Sequence, residues 1–405
     1  MARAIDADSS WYRDLRGSVV VVAAGKASAG MVRGARGFLR RGLIVAPTRA
    51  IEGEFPPSIP IEWVAGGHPS PNAASEEAGR KALALAESLT PDDTLLVLLS
   101  GGASALMVAP AEGITLDEKR ATTDRLMREG ADIHALNTVR KHLSQIKGGQ
   151  LAARTRARTI ALAISDVVGD DPSVIASGPT VADSSTFADA LGFLRRFGGE
   201  SIYPPSVVER LRQGAEGRLA ETPKPGDPRL ARATTTVIGS RRDAMRGAAD
   251  EAKRLGYHVI VRDDAIVGEA RDAATPFVSD ALTRDAPRPV AVIASGETTV
   301  HVRGKGKGGR NQEFALAVGM GRSLQATPHP YAFASIGTDG VDGPTNAAGA
   351  IVDSTTIERA TAAGLAPRQL LDDNNAYAFF DALGDLIHTG PTGTNVGDLQ
   401  VLLLS

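Results

Sequence analysis

The feature that most constrains this chain is a repeated pairing of an unbroken apolar run with a glycine-rich turn. "VVVVAAGKASAGM", from Val19, carries one such pair, and "LLVLLSGGASALM", from Leu95, carries another. A strand wetted on one side would alternate apolar and polar residues. These runs do not alternate, so both of their faces must be covered. Helix-period sequence after each turn supplies the cover. The pattern predicts an α/β fold: a buried, mostly parallel sheet with helices on its faces.

The same reading places strands at Val19–Ala23, Leu43–Ala46, Ile61–Ala65, Leu95–Leu99 and Thr159–Ile164. A second set falls at Thr234–Ile238, His258–Val261, Val290–Ala294, Thr298–Val302 and Tyr331–Ile336. Helical periodicity marks Ala73–Ser88, Leu116–Arg128, Arg242–Leu255 and Asn311–Val318. At 405 residues the chain has room for two or three domains. The stretch from Gln213 to Ala233, rich in Pro, Gly and charge, reads as a junction centred near Pro225. The expected domains are therefore 1–225 and a smaller 226–405. Ligands in such folds lie beyond the carboxyl ends of the strands, and a two-domain chain is expected to hold them in the cleft between domains.

Composition excludes several classes. A net charge of −2 gives no global field toward nucleic acid or an anionic membrane. The chain has no Cys, which removes disulfides, thiolate nucleophiles and Cys-ligated metals and favours a reducing compartment. No apolar run approaches a membrane span, and the first 18 residues lack the apolar core of a signal peptide. A cytoplasmic protein is the expectation, as monomer or homodimer.

Several loops could carry chemistry. Lys26, in "AAGKAS", stands at a helix start, either as a solvated side chain or as a full charge added to an anion-binding helix terminus. The spacing is not that of a Walker A loop. Ser100, Gly101, Gly102, Ala103 and Ser104 combine small side chains, hydroxyls and exposed amides that suit a carboxylate or phosphate. They lack the second glycine of a nucleophile elbow. In "GGHPSPN", His68 is poised for a ligand or for a loop carbonyl, and Asn72 or Ser75 for capping the next helix. Asn137, Arg140 and Lys141 share a helical stretch, as an anion site or as a basic face. Ser144 and Lys147 match S-x-x-K, a motif too short to stand without its companions.

Asp166, Asp170 and Asp171 cluster beyond a strand end, as turn formers or as ligands for Mg²⁺. Asp339 and Asp342 repeat that pattern in "IGTDGVDGPTNAAGA". Finally, "RGKGKGGRNQEFAL" matches G-x-G-x-x-G through Gly304, Gly306 and Gly309. A dinucleotide loop needs an acid about 20 residues on for the ribose, and none stands there. Lys305, Lys307 and Arg310 instead suit a triphosphate and its transferring phosphoryl group.

In this order, "GKASAGM", "GGHPSPN", "SGGASALM", "LNTVRKHLSQIKGGQLA", "SDVVGDDPSVIASGPT", "SGETTVHVRGKGKGGRNQEFAL", "GTDGVDGPTNAAGA" and "GPTGTNVGDLQVLLL" resemble the glycerate 2-kinase family with a C-terminal MOFRL domain. The resemblance runs from about Gly25 to the end of the chain. It implies ATP-dependent phosphorylation of D-glycerate at its 2-hydroxyl with a divalent metal, by a Rossmann-like domain and a smaller α/β MOFRL domain. The family's important lysine falls on Lys26 and its arginine on Arg310. Its proposed site aspartates fall on Asp166 and Asp339.

Under that resemblance, Ser100–Ser104, with His68, Arg140 or Lys141, are expected to hold the carboxylate. Lys305, Lys307 and the amides about Gly308 and Gly309 are expected to grip ATP. Mg²⁺ belongs near Asp166 and Asp170. Asp339 orients or deprotonates the hydroxyl, unless it exchanges roles with Asp166. Family members usually carry a longer segment before the first strand, so this chain is expected to start late. Two other readings stay open: an NAD(P)H-dependent hydroxypyruvate reductase, a label some relatives bear, and a nucleotide-binding protein without turnover.

Overall fold

The structure is a computed structural model that describes residues 13, 15–48, 55, 58–284, 286–327 and 329–405. Most of the segment before the first strand thus lies outside the described residues. The chain divides into two compact units, Met1–Ile238 and Gly239–Ser405.

The first unit is built on a six-stranded sheet. Its strands are β1 (Val19–Ala24), β2 (Arg41–Ala46), β3 (Ile61–Ala65), β4 (Thr94–Leu99), β5 (Arg158–Ile164) and β6 (Ala233–Gly239), in the order β3-β2-β1-β4-β5-β6. The pairs β2–β3, β1–β2, β1–β4 and β4–β5 are parallel. Every residue of β1 and β4 is buried, which is why neither strand alternates. The register sets Ala24 against both Val45 and Leu99, and Leu99 against Ala163. The carboxyl ends of β2, β1, β4 and β5 therefore finish level, and the loops that follow them emerge at one edge. Because β1 lies between β2 and β4, that edge holds the point where the strand order reverses, the usual ligand position in open α/β sheets.

Helix α1 (Ser28–Ala35) follows β1, and α2 (Ala73–Glu87) follows β3. Asn72 caps α2 through a capping box with Ser75, satisfying amides that the first turn would otherwise strand. A short α3 (Ala103–Leu106) follows β4. The chain then leaves the sheet for α4 (Leu116–Arg128), α5 (Ile133–His142), α6 (Gln150–Ala153), α7 (Phe187–Arg196) and α8 (Pro205–Ala215). Leu126, Val139, Phe187, Leu194 and Leu211 pack into a second apolar cluster separate from the one over the sheet. Each such side chain contributes roughly 1.5–3 kcal/mol by leaving water.

The second unit is a seven-stranded mixed sheet rather than a parallel one. Its strands are β7 (His258–Val261), β8 (Ile266–Glu269), β9 (Val290–Thr299), β10 (Tyr331–Gly337), β11 (Gly349–Asp353), β12 (Leu386–Ile387) and β13 (Asp398–Leu404). β7 and β8 run parallel to β9, whereas β9–β13, β13–β10, β10–β11 and β11–β12 are antiparallel. The two strands expected at Val290–Ala294 and Thr298–Val302 are one. Gly296 continues the strand instead of ending it, because β8 passes so close that a Cβ there would lie 1.9 Å from the Ile266 carbonyl oxygen. Helices α9 (Arg241–Arg254), α10 (Ala270–Thr283) and α11 (Arg310–Gly319) cover the sheet. Phe314 of α11 stacks on Phe333 of β10 with ring centroids 5.7 Å apart.

The division between units falls after Ile238, later than the expected boundary at Pro225. The segment rich in Pro and Gly leads into β6, which pairs with β5, so this strand belongs to the first sheet. Among the described residues, no helix is long and apolar enough to cross a membrane.

Candidate functional site

In the first unit the loops after β1 and β4 are laced together. The Lys26 amide donates to the Gly101 carbonyl (2.9 Å), and the Ala27 amide donates to the Ser100 hydroxyl (3.0 Å). Gly25 has φ +128°, and a Cβ there would lie 2.1 Å from Ser100 Oγ, so only glycine fits. Lys26 is thereby carried on the turn that abuts the serine loop. Gly102, at φ +88°, is the N-cap of α3, and the His68 imidazole lies close against it. His68 therefore borders the loop from the β3 side, and Asp166 leaves the adjacent β5 edge.

Beneath this loop lies a polar lattice. The Ser104 and Ser177 hydroxyls are 3.1 Å apart, and Ser177 donates onward to Asn137 Oδ1 (2.9 Å). Asn137 Nδ2 is buried without a partner. Lys147, 1% exposed, donates from Nζ to the carbonyls of Ser104 (3.1 Å) and Ala176 (3.3 Å). Ala176 and Ser177 both have positive φ, 53° and 60°, a strained state that persists only where surroundings enforce it. Among the described residues the Arg140 guanidinium has no hydrogen-bond or ion-pair partner, and burial pushes it down to about 10. Burial also pushes Lys147 and Lys119 far below the ordinary lysine value, with the neighbouring Arg140 adding to it.

In the second unit Arg310 opens α11. Its Nε reaches the Asp398 carboxylate, 2.8 Å from Oδ2, and its Nη1 donates to Glu297 Oε1 (3.0 Å). Asp398 is fully buried at the start of β13, opposite both Gly296 and Gly337. Burial raises the Asp398 carboxyl to about 6, against the opposing pull of Arg310. Burial alone would lower Arg310, but Asp398 and then Glu297 outweigh it and hold the guanidinium charged. Asn311 ties the cluster together, donating from Nδ2 to Asp398 Oδ1 (2.9 Å) and accepting from Ser335 (2.6 Å). Asp339 stands just past β10, its Oδ1 accepting from the Val341 amide (3.1 Å).

Residues 2–212 match a family model described as a domain of unknown function, DUF4147, and residues 290–398 match the MOFRL family. A glycerate 2-kinase of Pyrococcus horikoshii is 38% identical over 399 residues, covering 97% of this chain and 88% of that protein. A D-glycerate 2-kinase of Thermotoga maritima is 40% identical over 396 residues, covering 95% and 90%. This chain belongs to the glycerate 2-kinase family. The crystal structure of a Thermotoga maritima glycerate kinase superposes with a TM-score of 0.85 at 37% identity, covering 100% of this chain and 95% of that one.

For this glycerate 2-kinase family member, the first-unit edge gathers Lys26, His68, Ser100–Ser104 and Asp166 on loops that follow neighbouring strands. Lys141 is not with them. Its Nζ pairs with the buried Asp183 carboxylate (3.3 Å), where it pins the segment after residue 183. In this structure its ammonium is committed to that carboxylate. Burial acts to raise Asp183, but the Ser185 hydroxyl and Lys141 prevail and hold it below the ordinary carboxylate range.

In the glycine loop most amides have partners within the protein. The amides of Arg303 and Gly304 donate to Asn374 Oδ1, that of Lys305 to Asp373 Oδ1, and that of Lys307 to Asn375 Oδ1. The first amides of α11, on Asn311 and Gln312, donate to the buried Asp342 carboxylate (3.0 and 2.9 Å). The helix terminus thus already holds an internal anion, and most loop amides are spent inside the protein. A Cβ on Gly304 or Gly306 would strike residues 373–375, and one on Gly309 would lie 2.2 Å from Asp342 Cγ. These glycines serve close packing. The amides of Gly308 and Gly309 make none of these bonds. The Lys305 and Lys307 side chains are exposed, with Lys307 Nζ 4.4 Å from the Tyr377 ring centroid.

Sequence reasoning did not single out Asp398 or Glu297. Both carry one faint signal: an acid in an apolar strand segment, "GDLQVLLL" and "VIASGETT". Asp398 is buried, and a buried acid in a strand needs a cation, which Arg310 supplies.

Proposed function

We propose that this protein is an ATP-dependent glycerate 2-kinase, transferring the γ-phosphoryl group of ATP to the 2-hydroxyl of D-glycerate. The observation that carries the reading is the near full-length likeness to two glycerate 2-kinases, with the loops of the resemblance all present. In the reaction, the 2-hydroxyl oxygen forms a bond to the γ-phosphorus while the bond to the bridging oxygen breaks, and ADP leaves. The hydroxyl proton passes to a carboxylate, for which Asp339 is the candidate and Asp166 the alternative. Ser100–Ser104, His68 and Arg140 hold the substrate carboxylate. Lys26 and Arg310 neutralise charge that develops on the transferring group, and Lys305 and Lys307 meet the polyphosphate.

Mg²⁺ binds through one or two carboxylates together with water and phosphate oxygens, so a cage of protein acids is not required. Among the described residues no group of three or more His, Cys, Asp or Glu forms such a cage. Asp170 fits the role: its Oδ1 is buried with no partner, on a residue with φ 54°. Asp166 and Asp170 would hold the ion, which when bound neutralises phosphate oxygens. The chain's own residues orient the carboxylate, receive the proton and stabilise the charge.

Purified protein given ATP, Mg²⁺ and D-glycerate should form ADP and 2-phosphoglycerate in equal amounts. Formation of 3-phosphoglycerate would overturn the regiochemistry, and absence of ADP would overturn the kinase. Some relatives are labelled hydroxypyruvate reductase. That second reading requires NADH or NADPH oxidation with hydroxypyruvate, measured on the same preparation.

A further inference from the structure

We propose that Lys147 is the positioning residue of the substrate-carboxylate loop, pinning Ser104 from below. The inference rests on the kinase reading above, which assigns that loop to D-glycerate. Lys147 is buried to 1% exposure, and its Nζ joins two carbonyls from distant segments, Ser104 and Ala176. No other residue makes that bridge among the described hydrogen bonds. The Ala176 side of the bridge is the strained one, with left-handed φ at Ala176, Ser177 and Gly178. Strain of this kind costs on the order of 1–3 kcal/mol per non-glycine residue and needs fixed partners to persist. The Ser177 hydroxyl, presented by that strain, contacts Ser104 Oγ and donates to Asn137.

Lys147 thus fixes both the backbone and, through Ser177, the side chain of Ser104. Its neighbours Arg140 and Lys119 are both cations, and its Nζ is met by carbonyls rather than by an acid. Ser144 and Lys147, the S-x-x-K pair, do not form a nucleophile and base: Ser144 Oγ accepts from the amides of Ile146 and Lys147, while Nζ points to Ser104 and Ala176.

The test is Lys147→Met, which keeps the length and apolar stem but removes the amine and both hydrogen bonds. Steady-state kinetics should show KM for D-glycerate raised about 10- to 100-fold, the range for losing two buried hydrogen bonds, with KM for ATP within about twofold of wild type. The thermal-shift response of the protein to D-glycerate should weaken in parallel. An unchanged KM for D-glycerate overturns the inference. So does a variant whose melting temperature falls while its KM and its response to D-glycerate stay normal, since that is the signature of a merely structural lysine. If Lys147→Met does not fold, Ser177→Ala removes the hydroxyl link alone and should raise the same KM about three- to tenfold; no rise overturns the inference. Wild-type protein that fails to phosphorylate D-glycerate defeats the kinase reading itself, whereas active wild type with an unaltered variant defeats only the role of Lys147.

Discussion

The Arg310 guanidinium lies with Nε 2.8 Å from Oδ2 of Asp398, and Asp398 is fully buried. The carboxylate cannot move toward water, so it sets the plane of the guanidinium, and Glu297 fixes its far edge. Arg310→Ala should lower kcat about 100- to 1000-fold, the usual consequence of losing one preorganised charge at a transition state. Asp398→Asn keeps the shape and should lower kcat by a smaller factor, roughly 10-fold, with Arg310 still present but less firmly aimed. Wild-type rates from Asp398→Asn would separate Arg310 from its supposed support.

The pH dependence follows from the same carboxyl. Its folded value is about 6 and its ordinary value 3.8, raised by burial. Protonation below about pH 6 removes the charge that orients Arg310, so kcat/KM should fall on that acid side. In Asp398→Asn that limb should vanish. The stability sign is opposite. Because the folded value is raised, the stabilising effect of the bound proton is complete below about 3.8 and is lost as pH rises through about 6. The difference in melting temperature between Asp398→Asn and wild type should therefore shrink as pH drops from 7 to 4. A constant difference across that range would place the titration elsewhere.

Lys141 and Arg140 are neighbours in sequence with different expected phenotypes. Lys141→Met leaves the buried Asp183 with the Ser185 and Thr222 hydroxyls but without its lysine, which should cost about 1–3 kcal/mol of stability with KM for D-glycerate unchanged in the folded protein. Arg140→Ala should do the reverse, raising that KM about tenfold or more with little loss of melting temperature, because no carboxylate depends on it. Denaturant unfolding and steady-state kinetics on both variants decide the matter; matching phenotypes would refute the distinction.

Gly309→Ala tests what the glycine loop is for. Its added methyl would stand 2.2 Å from Asp342 Cγ, displacing the carboxylate that caps α11. The expected result is a destabilised second unit, by about 1–3 kcal/mol as for other overpacked sites, together with lower kcat through Arg310. A fully stable variant with weakened ATP binding alone would instead support a phosphate-cradling loop.

What the sequence determined was local: which runs are strands buried on both faces, which turns need glycine, and which charges follow strand ends. β1, β4 and α2 follow from period and capping chemistry, and these place Lys26, the serine loop and His68. Tertiary structure decided the pairings. Lys141 and Arg140 carry similar charge on one helix, yet only the fold puts Asp183 beside one and, among the described residues, no ion-pair partner beside the other. The amides of "RGKGKGGRNQ" have the composition of a phosphate loop, but the fold brings residues 373–375 and Asp342 to them first. Asp398, 88 residues from Arg310 in the chain, becomes its partner only when β13 enters the sheet between β9 and β10. Periodicity reports short-range burial, which neighbours in the chain share. A buried charge is settled by whichever opposite charge or dipole arrives in space, and that is fixed by strand order, not by sequence spacing.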